Sequence, residues 1–218
     1  EPGEEHWGPI TIDGWSWDPR FSHDENMLNL AYASSLNTYR FKRGMAGGLF
    51  GAALCRPPSG APAALPGATS KPGEVEVLGL GVHWPPRFSA EGQPAAQEGD
   101  RDYVPSRVLT GAKATTLHAE VMVMARCARQ GIATEGSWVY TIQPPCWECV
   151  KALLMAGVAR FVFEGPKSMR TVQRQREVVE ATGAEWVALP RSEARQKFQD
   201  GVRRTWNVRG GAQGDADG

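Results

Sequence analysis

The segment 141–165, TIQPPCWECVKALLMAGVARFVFEG, decides the fold. Two prolines precede Cys146, and proline is favoured where a helix begins. The run from Cys146 to Ala156 is apolar at helical spacing, and the run 159–164 has the composition of a buried strand. Cys146 and Cys149 lie on one face of the first helical turn. The N–H groups and positive dipole end of that turn stabilise thiolates.

A second segment, TLHAEVMVMA, places His118 at the start of another apolar helix, predicted over 118–130. His118 precedes Cys146 by 28 residues, room for that helix, a loop and a strand. One imidazole and two thiolates suit zinc, and three protein ligands leave a fourth position for water. Glu120 need not bind the metal and can carry protons beside it. The sequence therefore predicts one catalytic Zn²⁺ on His118, Cys146 and Cys149, with Glu120 as acid/base.

Two other interpretations of C-x-x-C are a redox pair and half of a structural zinc site. A structural site takes four protein ligands. The remaining cysteines, Cys55 and Cys127, lie in apolar stretches without ligand spacing, so we predict buried thiols. A redox pair is not expected to come with a matching H-x-E. Catalytic zinc is therefore the favoured interpretation.

Composition limits the class of protein. A chain of 218 residues predicts one domain with additions. Its 24 Lys and Arg equal its 24 Asp and Glu, so no global basic field attracts nucleic acid, although a local patch is possible.

With two of four cysteines assigned to metal, no disulfide framework remains, which suits a reducing compartment. No apolar run approaches the ~18 residues of a membrane span, and no signal peptide is recognised. We expect an intracellular protein without membrane contact, with the cytoplasm favoured and an organelle or the nucleus as the alternatives.

The chain divides by composition into an arm, a domain and a tail. In the domain, Ser22 and Glu25 form a predicted capping box that starts a helix over 24–40. Proline- and glycine-rich stretches predict loop insertions, and the tail is expected to be disordered. The predicted boundaries are an irregular arm 1–21, a zinc-dependent catalytic domain 22–206 with insertions at 56–73 and 85–101, and a tail 207–218.

The other predicted elements give an α/β class. Strands 47–54 and 75–83 form a hairpin across the first insertion. Helix 168–182 and strand 185–189 follow the second cysteine helix and its strand, and a right-handed crossover makes the two strands parallel. A basic helix over 192–205 completes the domain.

These motifs resemble the cytidine deaminase-like superfamily, and most closely its deoxycytidylate deaminase branch. The similarity runs from Asn26 to Pro190 and rests on TLHAEVMVMA and on the segment 141–165, with weaker support from ENMLNLAYASSLNTYRFKRG and VLGLGV. It implies a three-layer α/β/α sandwich with a five-stranded mixed sheet. It also implies the zinc ligands named above, proton transfer by Glu120, and base contacts from the backbone at Ala119 and at Pro145–Cys146.

The family commonly has asparagine, in the pattern G-x-G-x-N, as a contact to the nucleoside sugar. The matching residue here is His83, in GLGVHW. His83 is expected either to be a solvated loop histidine or to make an altered sugar or phosphate contact. Trp84 could stack on a base, or it could belong to the core or an interface.

Three functions follow from these patterns. The first is a deaminase of a free nucleotide of the dCMP type, with a small-molecule substrate and an expected homo-oligomeric state, since tryptophans in the arm suggest an exposed aromatic surface. The second is a deaminase of tRNA adenosine or of cytosine in RNA or single-stranded DNA. It is supported by the basic helix, which carries Arg191, Arg195, Lys197, Phe198, Arg203, Arg204 and Trp206. The third, a non-enzymatic subunit with structural zinc, is disfavoured by the presence of Glu120.

Overall fold

The computed structural model describes residues 10–38, 49–57, 75–83, 117–165 and 172–211, with side chains of the last helix described as far as Trp206. Ten elements occur in these ranges. In chain order they are α1 (His23–Ser35), β1 (Gly51–Arg56), β2 (Glu76–Val82), α2 (Ala119–Arg129), β3 (Trp138–Thr141), α3 (Trp147–Met155), β4 (Arg160–Glu164), α4 (Gln173–Ala181), β5 (Glu185–Leu189) and α5 (Glu193–Gly211).

The five strands form one mixed sheet in the order β2-β1-β3-β4-β5. Strand β1 is antiparallel to both β2 and β3, so the predicted hairpin of the first two strands is confirmed. Strands β3, β4 and β5 are parallel, as the crossover rule predicts. Parallel strands end at the same edge of a sheet. The N-termini of α3 and α4, which follow β3 and β4, therefore lie at that edge.

Helices cover both faces of the sheet, and this confirms the three-layer α/β/α sandwich. On one face, side chains of α2, α3 and α4, such as Val123, Leu153 and Val179, pack against the strands in one buried cluster. On the other face, α1 packs against the sheet through residues such as Leu28. Helix α5 lies beside α1, where Val202 contacts the cluster formed by Ala33 and Leu36.

The capping box that starts α1 is confirmed. The Ser22 hydroxyl accepts a hydrogen bond from the Glu25 N–H, and the Glu25 carboxylate accepts one from the Ser22 N–H at 3.0 Å. The helix ends at Ser35, earlier than predicted. Asn37 explains the difference, because its side-chain amide bonds the backbone of Thr11 and so fixes a non-helical turn.

Two further sequence expectations differ from the structure. Arg56, placed in the first insertion, is the last residue of β1, where it pairs with Glu76. Helix α5 continues to Gly211 and so includes the first five residues of the predicted tail 207–218. The remainder of both insertions, 58–73 and 85–101, lies outside the described residues. The domain boundaries stay a prediction.

The aromatic arm does not present the surface that was expected. Trp15 and Trp17 are partly buried and pack against the apolar cluster beneath α1. Trp7 lies outside the described residues. The proposed reason for self-association is therefore wrong at these two positions, and self-association itself stays a prediction. Among the described residues, no helix combines the length and the apolar character needed to cross a membrane.

Candidate metal centre and active site

Two helix starts supply the predicted ligands. His118 is the N-cap of α2, and its carbonyl oxygen accepts a hydrogen bond from the Met122 N–H at 3.0 Å. Cys146 is the N-cap of α3, and its carbonyl accepts one from the Val150 N–H at 2.9 Å. Both residues have extended backbone, with φ of −68° in each case. Neither side chain caps its own helix, and each is left to point at the other.

The three ligand atoms form one compact group. Nδ1 of His118 lies 3.4 Å from Sγ of Cys146 and 3.5 Å from Sγ of Cys149. All three atoms lie within 4.8 Å of one another. A tetrahedral zinc with ordinary Zn–N and Zn–S bonds separates such atoms by about 3.6 Å. The donor set and its spacing therefore fit Zn²⁺, and they bring together all three predicted ligands.

One of the two ligand thiols, that of Cys146, is prepared for metal binding. A hydrogen bond from the Cys149 thiol is the main reason that the pKa of Cys146 falls to about 4, and contact with His118 lowers it further. The same hydrogen bond raises the pKa of Cys149. Cys146 is thus held as the thiolate, the form that binds zinc.

Glu120 lies in the first turn of α2 with its carboxyl group next to the ligands. Burial raises the pKa of this carboxyl, while its own backbone N–H and the neighbouring His118 oppose that shift. The Cys149 thiol also hydrogen-bonds to it. Among the described residues, the metal-sized group contains only the imidazole and the two thiols. Glu120 is therefore beside the metal position without being one of the clustered ligands.

Strand β2 fixes the start of α2 through a glycine. A Cβ atom built on Gly81 would lie 2.0 Å from the carbonyl oxygen of Ala119 and 2.9 Å from the Val123 nitrogen. Only hydrogen fits in that space. Strand β2 can therefore lie in close contact with the first turn of α2, and this contact helps to fix the position of His118 relative to the sheet.

The structure places three of the four predicted substrate residues near the ligands. Ala119 is buried beside His118, and Pro145 is buried beside Cys146. His83 follows the last residue of β2, and its ring centroid lies 5.6 Å from that of His118 in an edge-on arrangement. It is only 4% exposed and also packs on Phe50, so the interpretation as a solvated loop histidine is wrong. Trp84 lies outside the described residues.

The two remaining cysteines are buried thiols, as predicted. Cys55 and Cys127 are fully buried in the two apolar clusters on opposite faces of the sheet. Burial raises the pKa of both. They therefore take no part in the metal centre.

The predicted basic face of α5 is largely occupied within the molecule. Arg195 is fully buried and bonds to Glu164 at 2.7 Å. Arg191 also bonds to Glu164, and Phe198 packs edge-on against Phe21, with ring centroids 5.6 Å apart. The sequence pattern resembles a solvated cationic face because the partner, Glu164, comes from β4 and is distant in the chain.

One pair near the metal centre is not evident from the sequence. Trp147 lies between the two cysteine ligands, and the guanidinium carbon of Arg174, in the first turn of α4, stands 5.1 Å from the centre of its ring. No local pattern joins these two residues, since they lie on different helices. The one available signal is an aromatic residue inserted in the C-x-x-C motif.

Residues 74–164 match the family described as the cytidine and deoxycytidylate deaminase zinc-binding region. Over 45 residues the chain is 36% identical to ComE operon protein 2 of Bacillus subtilis (strain 168). That stretch is 21% of this chain and spans about a quarter, 24%, of the relative's length.

Two solved structures are also similar. A dCMP deaminase from the cyanophage S-TIM5, in apo form, is 18% identical, with 76% of this chain and 96% of that chain covered at a TM-score of 0.45. A guanine deaminase from Nitrosomonas europaea is 15% identical, with 92% and 95% covered at a TM-score of 0.43.

The matched region, residues 74–164, contains His118, Glu120, Cys146 and Cys149. Zinc is accordingly the metal of the group formed by His118, Cys146 and Cys149.

Proposed function

We propose that this chain, with its deaminase zinc-binding region, hydrolyses a cytosine nucleotide of the dCMP type to the uracil form and releases ammonia. The observation that carries the proposal is the combination of three ligand atoms at zinc-binding distances with one further carboxyl group, that of Glu120, beside them. A structural zinc site has no need of that carboxyl group, so an enzyme is favoured over a non-enzymatic subunit.

The residues divide the chemistry between them. His118, Cys146 and Cys149 would hold the zinc ion, which, when bound, would lower the pKa of a water molecule toward about 7. The Glu120 carboxylate takes a proton from the attacking water and delivers it to the ring nitrogen N3 of cytosine. It then takes the proton of the hydroxyl group now on C4 and passes it to the amino group, which leaves as ammonia when the bond between C4 and that nitrogen breaks. One water is consumed, the oxygen stays on C4, and one ammonia leaves.

The site residues suggest how the base is held. Ala119 and Pro145 are buried at the two helix starts on either side of the metal position, so their backbone groups can contact the edge of the base. His83 is at the end of β2, next to His118, and we assign it a contact to the sugar or phosphate. An imidazole offers one donor and one acceptor there in its neutral form.

A free nucleotide is favoured over a polynucleotide by the charges. The chain carries no net charge, and Arg191 and Arg195 are bound to Glu164. Lys197 is paired with Glu193 at 2.7 Å. Three cations of the basic segment are therefore already engaged with carboxylates of this chain. A polynucleotide substrate is the second candidate, and the exposed side chains of Arg203 and Arg204 are where it would be held.

A deamination panel on the zinc-loaded protein tests the proposal. The panel contains dCMP, dCTP, cytidine, deoxycytidine, single-stranded DNA and tRNA, and ammonia release is measured for each. We expect the highest kcat/KM on dCMP, with Glu120→Gln as the inactive control. Turnover of single-stranded DNA or tRNA without turnover of any free nucleotide would select the second candidate. Activity of the Glu120→Gln protein at the wild-type rate would reject the mechanism.

A further inference from the structure

The pair formed by Trp147 and Arg174 lies at the edge of the sheet that carries the metal centre. Trp147 is the first residue of α3 and is flanked by the ligands Cys146 and Cys149. Arg174 is the second residue of α4, which packs beside α3. Both helices follow parallel strands and begin at the same sheet edge. The guanidinium therefore lies on the same side of the molecule as the ligands.

The contact with the Trp147 ring leaves the hydrogen-bond donors of Arg174 available. The guanidinium carbon of Arg174 lies over the Trp147 ring, 5.1 Å from its centre, and a guanidinium carries five N–H donors in a planar fork. Arg174 is exposed, and within the described part of the chain it forms no hydrogen bond or ion pair with a carboxylate.

Other cations nearby are already neutralised. Lys151 also lies near the Trp147 ring, at 5.8 Å, but its ammonium is 2.7 Å from the Glu148 carboxylate. On the same helix as Arg174, the guanidinium of Arg176 binds Glu180 at 2.7 Å. Among the described residues at this edge, Arg174 is thus a guanidinium that contacts an aromatic ring and has no counter-ion.

We propose that Arg174, positioned by Trp147, binds the phosphate of the substrate, so that the enzyme acts on a nucleotide monophosphate rather than on a nucleoside or free base. This inference rests on the proposed function, because it assigns the substrate class of that same site. Arginine and phosphate match in a planar, two-bond arrangement. Trp147 is a positioning residue, and Arg174 is a substrate-binding residue.

The test compares two substrates that differ only in the phosphate. We expect Arg174→Gln to lower kcat/KM for dCMP about 10- to 100-fold more than for deoxycytidine, the loss typical of a charged hydrogen bond. Arg174→Lys should recover part of that difference, since it keeps the charge without the planar fork. Arg176→Gln, on the same helix, is the matched control and should leave the ratio of the two substrates as in the wild type.

Equal changes for both substrates, or no change for either, would overturn the inference while the proposed deamination stands. Calorimetry on the zinc-loaded protein with dUMP and with deoxyuridine separates the two failures. If no cytosine compound is deaminated, yet Arg174→Gln weakens binding of dUMP more than of deoxyuridine, the proposed reaction is wrong and the phosphate site is right. Equal binding of dUMP by the wild type and Arg174→Gln would reject the phosphate site whatever the activity.

Discussion

Nδ1 of His118 and Sγ of Cys146 lie 3.4 Å apart although 28 residues separate them in the chain. Each residue is the N-cap of its helix, and β3 lies between the two helices in sequence. The metal centre is therefore built by the sheet, which brings two helix starts to one point.

Removal of either thiolate should release the metal. We expect Cys146→Ala and Cys149→Ala to lose the one zinc per chain and to unfold at a lower temperature, because the ion ties α2 to α3. Elemental analysis and thermal unfolding measure both effects. Cys127→Ala is the matched control, as this thiol is buried away from the ligands. Full zinc retention in both ligand variants would contradict the assignment.

Glu120 should be needed for turnover and not for metal binding. Glu120→Gln keeps the size of the side chain but cannot carry a proton, so we expect kcat to fall by about 10²–10⁴-fold. Zinc content and unfolding temperature should stay close to those of the wild type. Steady-state kinetics on dCMP with parallel metal analysis checks this. A variant that loses its zinc would show that Glu120 is structural.

Salt dependence should distinguish the two substrate candidates. A polynucleotide is held by several phosphate contacts, so its affinity falls steeply with salt, whereas a mononucleotide offers one phosphate. We expect a shallow dependence of KM for dCMP on salt concentration. The double variant Arg203→Ala/Arg204→Ala should behave like the wild type, since these residues are not placed in the site. A steep slope that this double variant reduces would favour the polynucleotide.

The buried ion pair beneath α1 should carry a large share of stability. Arg195 is fully buried, and its guanidinium lies 2.7 Å from the Glu164 carboxylate. Glu164→Gln leaves that cation without its counter-charge, and we expect a loss of about 3–5 kcal/mol of unfolding free energy. The exposed pair of Arg176 and Glu180 is the control, where Arg176→Ala should cost at most about 1 kcal/mol. Chemical denaturation measures both values.

His23 should make the fold sensitive to acid. It lies buried among the rings of Trp17, Trp138 and Tyr140. Burial lowers its pKa, Asp24 opposes this shift, and Arg160 adds to it. Below the unfolded-state pKa of about 6.5, His23 takes up a proton in the unfolded chain more readily than in the folded one. The free energy of unfolding therefore decreases as the pH is lowered.

Replacement of His23 by phenylalanine removes that titration. The unfolding free energy of the wild type should therefore fall more steeply than that of His23→Phe between about pH 7.5 and 5.5. Urea titrations at both pH values measure the two slopes. Parallel slopes would show that His23 does not titrate in this range.

The metal ligands can be predicted from the sequence because their residue types recur at short, fixed spacings in the chain. His118 with Glu120, and Cys146 with Cys149, each occupy one helical turn, and the capping box at Ser22 is equally local. The parallel strands follow from the crossover rule.

The features that the sequence does not reveal depend on contacts between distant segments. Arg195 looks like part of a solvated face because nothing in its own helix points to Glu164 on β4. The burial of His83 comes from Phe50 and His118, neither of which is its neighbour in the chain. Arg174 has no local pattern around it, because Trp147 reaches it from another helix.

The contact between Gly81 and Ala119 has a consequence for which substitutions this chain can tolerate. Gly81 is not among the glycines with positive φ, so its requirement is purely one of space. A saturation mutagenesis library selected for activity should be as intolerant at Gly81 as at His118, although Gly81 has no side chain that could take part in the chemistry. Intolerance to substitution at Gly81 would then result from the short distance between β2 and the start of α2, and not from a reactive side chain.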